Sequence, residues 1–106
     1  MNKLLTALVL TFSIVATLQA QSGKKVFETY CWGCHHQTAV AFGPPFTEIA
    51  SRRSADEIRG MITDPASVSK VFGYKRSAMP PFKLTKEEMD AITAYVLTFK
   101  PEMKEK

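Results

Sequence analysis

The chain has 106 residues, with 14 Lys and Arg against 10 Asp and Glu, two cysteines and a formal charge of +4. That length suits one small domain, and two cysteines three positions apart cannot build the multi-bridge framework of a small secreted fold. So mild a basic balance, without a clustered patch, does not indicate a nucleic-acid binder.

At the N-terminus, Met1-Asn2-Lys3 precedes an uncharged apolar run of 15 residues from Leu4 to Leu18. The run is shorter than the roughly 18 to 20 apolar residues that span a bilayer comfortably. Ala20 then offers a small residue at a cleavage point, and Gln21-Ser22-Gly23 a polar start. Residues 1–20 read as a secretory signal peptide, cut after Ala16 or Ala20. Because Leu18 sits where a small residue is preferred, an uncleaved interfacial anchor is the alternative. Residues 21–106 form the expected domain, with 13 bases against 10 acids. Its location is periplasmic or otherwise exported. A domain of that size has a limited core of its own, so something besides apolar side chains is expected to help hold it together.

Within it, Val26, Phe27 and Tyr30 fall at helical spacing, with Ser22 available as a cap, so a short helix should run into Cys31. Gly43-Pro44-Pro45 keeps the next stretch from being helical throughout. Ser54-Ala55-Asp56-Glu57 is a capping box, and Ile58, Met61 and Ile62 form an apolar stripe behind it. That helix should stop at Asp64, before Pro65. Residues 66–83 read mainly as loop, with at most one helical turn around Ser67–Phe72. Thr85-Lys86-Glu87-Glu88 is a second capping box, followed by a face of Met89, Ile92, Tyr95, Val96 and Phe99 that Pro101 ends. Lys86 and Asp90 are spaced to pair on its solvent side. No segment alternates with period two. The expected class is all-α.

Cys31-Trp32-Gly33-Cys34-His35 is a C-x-x-C-H sequence, the attachment signature of c-type haem. Two thiols at this spacing reach the two vinyl-derived positions on one porphyrin edge, and His35 then lies under the iron as an axial ligand. Gly33 is expected to ease the turn. Rival readings are a thioredoxin-like redox pair, which needs a βαβ context, a zinc site from Cys31, Cys34, His35 and His36, and a disulfide whose loop is too small to constrain much.

The sequence resembles the small class I cytochromes c, most closely the compact bacterial ones, over essentially all of residues 21–106. Gly23 and Phe27 resemble the part of the family's N-terminal helix that packs on the C-terminal one, and Ile92 and Tyr95 resemble its partner pair. Gly43-Pro44 resembles the family's Gly-Pro, whose proline carbonyl accepts from the histidine. Ala78-Met79-Pro80-Pro81-Phe82 looks like its sixth-ligand loop. The resemblance implies the small cytochrome c fold, with short helices and loops wrapped around one covalently bound haem c. It also implies a haem site of Cys31, Cys34, His35, Pro44 and Met79, with His35 and Met79 on the iron.

The residues argue for Met79 independently. A thioether is a soft ligand suited to haem iron, and Pro80 and Pro81 stiffen its loop. Met61 and Met89 fall on apolar helix faces as core residues, and Met103 lies in a charged tail. Tyr74 either bonds a haem propionate or packs in the loop, and Phe82 either offers an apolar contact spot or tucks against the haem. His36 is expected at the surface and Trp32 partly exposed. No tryptophan is left for the propionates, since Trp32 is the only one.

Between Pro65 and Lys86 lie Lys70, Lys75, Arg76, Lys83 and Lys86 and no acid. A basic rim around Met79 would steer redox partners with acidic docking surfaces. The expected function is an exported monomeric one-electron carrier, not an enzyme, with no stable membrane span after signal cleavage. The alternatives are a gas-binding or peroxidase-like haem protein with an open iron, and an electron-entry subunit held to a larger oxidoreductase.

Overall fold

The computed structural model describes residues 22–101; residues 1–20, read above as a signal peptide, and Met103 lie outside the described residues. Helix α1 covers residues 22–31, α-helical over 22–26 and continuing as one π turn over Phe27–Cys31. Ser22 lies within the helical stretch. Four α-helices follow: α2 Phe46–Arg52, α3 Ala55–Thr63, α4 Pro65–Val71 and α5 Lys86–Leu97. No strand occurs among the described residues.

Both capping boxes form as the sequence predicts. Ser54 and Glu57 exchange side-chain-to-backbone bonds at the start of α3, and Thr85 and Glu88 do so for α5. Helix α3 stops before Asp64, which then serves as N-cap of α4, with Pro65 at its first position. Asp-Pro is a strong helix start because proline's missing N–H would be unpaired there anyway. Residues 66–83 are mainly loop, as expected, and their helical part is α4, which makes nearly two turns rather than one. It ends in a Schellman arrangement, with Gly73 N–H donating to Lys70 O at 3.1 Å and Tyr74 N–H to Ser69 O at 2.9 Å. Gly73 has φ +84°, a conformation that costs any other residue energy.

Helix α2 has no sequence signal. Its N-cap is Pro45, which offers no side-chain bond. It exists because Phe46 and Ala50, four apart, are buried on one face and because α2 packs on α5. Helix α5 ends at Leu97, short of Pro101. Phe99 and Lys100 then donate to Val96 O and Leu97 O at 3.1 and 3.2 Å, so the last turn tightens before the proline is reached.

The core joins Val26, Phe27, Phe46, Ile58, Ile62, Ile92 and Val96. Phe27, Phe46, Tyr95 and Phe99 form an aromatic cluster, with ring centroids 5.1 Å apart for Phe27–Phe46 and for Tyr95–Phe99. Helices α1 and α5 approach closely at Gly23, where a Cβ would lie 2.6 Å from Ala91 O and 2.7 Å from Tyr95 Cβ. The arrangement leaves a large apolar cavity between α1, the Gly43-Pro44 loop, α3 and the segment after α4.

Candidate haem site

The π turn closes with Trp32 N–H donating to Phe27 O at 2.9 Å, and one more helical turn follows, with His35 N–H donating to Cys31 O at 2.9 Å. Positions i, i+3 and i+4 share a helical face, so Cys31, Cys34 and His35 all border the cavity. The turn is an ordinary right-handed one. Gly33 lacks the positive φ that would make glycine necessary, and a Cβ there meets no protein atom within 4 Å. The expectation that Gly33 eases the turn is thereby corrected.

His35 is half-buried, its ring stacked on Phe46 with centroids 5.8 Å apart. Its Nδ1 lies 2.8 Å from Pro44 O. A carbonyl only accepts, so Nδ1 carries the proton and Nε2 keeps a free lone pair. The neighbouring loop is tied in by Gly43 N–H donating to Cys34 O at 2.7 Å. A Cβ at Gly43 would overlap the His35 ring, 2.7 Å from Nδ1; the glycine is needed for space. His36 is exposed, and its Nδ1 accepts from Thr38 N–H and Ala39 N–H at 3.1 Å each. Trp32 is 68 % exposed.

Both cysteines are free thiols. Burial, and after it the neighbouring Cys34, pushes the Cys31 thiol up to about 11. It is neutral at pH 7 and lacks the low-pKa thiolate of a thioredoxin-type pair. No His, Cys, Asp and Glu side chains cluster as a metal site among the described residues, so the zinc reading has no geometric support.

The cavity measures about 340 Å³ and its wall is mostly apolar, including Phe46, Ile49, Ile58, Ile62, Ile92 and Val96. All six residues singled out in the sequence, Cys31, Cys34, His35, Pro44, Tyr74 and Met79, border it. Met79 is half-buried and packs against the core. Met61, expected to be core, is instead a second thioether on the cavity wall.

Sequence reasoning passed over Arg53. Its guanidinium lies 3.5 Å over the Phe72 ring, pairs with Glu57 at 3.6 Å and donates to Tyr74 Oη at 3.4 Å. Arg53, Glu57 and Tyr74 form a polar group on the cavity wall, which Arg76 and Ser77 also line. An isolated Arg52-Arg53 pair carries no signal; only the meeting of α2, α3 and the Gly73 turn assembles it. Phe82 tucks in, half-buried, with its ring edge-on to Tyr30.

Cytochrome c is the family whose profile matches the chain, over residues 20–100. The chain belongs to the cytochrome c family. Among solved structures, a cytochrome c from Rhodothermus marinus shares the fold, with TM-score 0.63 and 24 % identity over 78 % of each chain. No curated protein matches. The match supports the class I monohaem type, whose cofactor is covalently bound haem c and whose activity is haem-based electron transfer with redox partners. Among the described residues no helix is long and apolar enough to cross a membrane.

The cavity suits a haem. Its apolar walls fit the ring, two thiols share a face with an imidazole whose Nε2 is free, and the Arg53–Tyr74 group fits carboxylates.

Proposed function

We propose that this cytochrome c is an exported one-electron carrier whose haem is attached at Cys31 and Cys34 and ligated by His35 and Met79. Haem supplies a single iron centre that cycles between ferrous and ferric states. The observation that carries the assignment is the His35–Pro44 hydrogen bond at 2.8 Å: it holds the ring in one tautomer and directs the free lone pair of Nε2 to a metal. Met79, on a loop stiffened by Pro80 and Pro81, supplies the soft second ligand. Tyr74 and Arg53 receive the carboxylates, the guanidinium being held in place by Glu57 and the Phe72 ring. The apolar walls keep water from the centre and so limit the rearrangement that accompanies a change of charge. Residues 1–20 act as the export signal and 21–106 as the haem domain.

The test is the absorption spectrum of the exported protein in both oxidation states. The oxidised form should show the weak far-red band of methionine–iron ligation. Met79→Ala should abolish it, whereas Met61→Leu and Met89→Leu should leave it. A band that survives Met79→Ala would reassign the sixth ligand; its absence from the wild type would favour an open iron and small-ligand chemistry.

A further inference from the structure

Met79 lies on a length of chain with few attachments. Among the described residues, no main-chain hydrogen bond is made between Tyr74 N–H and Phe82 N–H. The downstream attachment is the nearer one, three residues away and separated from Met79 only by Pro80 and Pro81, whose φ angles are fixed. Displacement of Phe82 is therefore passed on to Met79 rather than absorbed.

Three elements converge on this point. Phe82 N–H donates to Ile62 O of α3 at 2.9 Å. The Phe82 ring packs edge-on against Tyr30 of α1, with centroids 5.9 Å apart at 62°. Tyr30 Oη donates to Glu88 Oε2 of α5 at 3.2 Å, while the other carboxylate oxygen accepts Thr85 N–H at 3.0 Å. One carboxylate thus holds both the residue that grips the loop and the residue where the loop ends. The π turn over Phe27–Cys31 contains Tyr30, and its wider winding changes where the side chains within it fall around the helix. Tyr30 accordingly borders the cavity beside Cys31.

We propose that Tyr30 is a positioning residue that latches the Met79 loop over the cavity and sets how readily the thioether yields to an added ligand. This rests on Met79 being the distal ligand. Glu88 serves as the fixed end of the latch, and Phe82 as the part of the loop that is gripped.

The test uses the exported, haem-loaded protein and imidazole as probe, titrated into the oxidised form while the far-red band is followed. Tyr30→Phe keeps the ring and loses the Glu88 bond, and should bind imidazole about fivefold more tightly. Tyr30→Ala also loses the aromatic contact and should bind it about 30-fold more tightly or more. Ser54→Ala, which removes the α3 cap, should lower stability yet leave imidazole affinity at the wild-type value. Wild-type affinity in Tyr30→Ala would overturn the latch, as would an equal gain in Ser54→Ala, which would mark a general loosening. A wild type lacking the band fails differently: it removes the Met79 ligation itself, and the latch with it.

Discussion

Because the Pro44 carbonyl can only accept, the His35 proton must lie on Nδ1, and the side chain is committed before any metal arrives. Gly43 makes room for that contact. Gly43→Ala should push the ring off Pro44 and destabilise the protein by about 1–3 kcal/mol in urea unfolding. Its far-red band should weaken while haem staining on denaturing gels persists, since Cys31 and Cys34 are untouched. Gly33→Ala is the contrasting change. With no neighbour within 4 Å and an ordinary φ, it should alter stability by no more than about 0.5 kcal/mol. These two glycines, ten positions apart, thus differ by what stands next to them.

At the scale of the element, helix ends govern the path of the chain. Gly73→Ala forces a Cβ into a φ of +84° and should cost about 1 kcal/mol, read as a lower urea midpoint; it also disturbs the cavity wall at Tyr74. The capping boxes make stability pH-dependent. Glu57 and Glu88 are held below the usual carboxylate value, chiefly by accepting the backbone N–H of Ser54 and of Thr85. A folded pKa below the unfolded one means a contribution that is full above the unfolded value. It is then lost as pH falls through the lower folded value. The urea midpoint should therefore fall as pH is lowered through and below the ordinary glutamate range. Glu57→Gln should be less stable than wild type at neutral pH and should converge with it in acid. A constant gap between the two curves would remove the ionised cap from the account.

On the scale of the whole molecule, charge and cofactor decide behaviour. Lys70, Lys75, Arg76 and Lys83 are exposed on the segment around Met79. Lys86 differs: its ammonium is 2.7 Å from Asp90, which Arg59 also approaches at 3.4 Å. The net positive field near the site thus comes mainly from the other four. Electron transfer to an acidic partner should slow as ionic strength rises, and Lys75→Ala should reduce the low-salt rate more than Lys86→Ala does. The apolar cavity has a further consequence. Cys31→Ala with Cys34→Ala should leave protein without haem staining and with a broader, less cooperative unfolding transition, because a chain this short relies on the bound ring to complete its core.

Residues 31–35 read as an attachment motif because covalent attachment of a haem requires one short spacing, and α3 and α5 are legible because a capping box precedes an apolar stripe. Those signals are local. Helix α2 carries none, since Pro45 offers no cap and the helix depends on burying Phe46 and Ala50 against α5. Helix α4 was legible only as a turn around Ser67–Phe72, because Pro65 ends one helix and begins the next. Met61 has the spacing of a core residue, and only the placement of α3 turns it to the cavity. Arg53, Glu57, Phe72 and Tyr74 come from α2, α3 and the Gly73 turn, and Tyr30, Phe82 and Glu88 from α1, the Met79 loop and α5. By itself, the sequence determined the class, the C-x-x-C-H spacing and the helices with their own start signals. Tertiary structure alone decided which distant side chains meet around the cavity, because such contacts depend on packing between elements rather than on the order of residues within one.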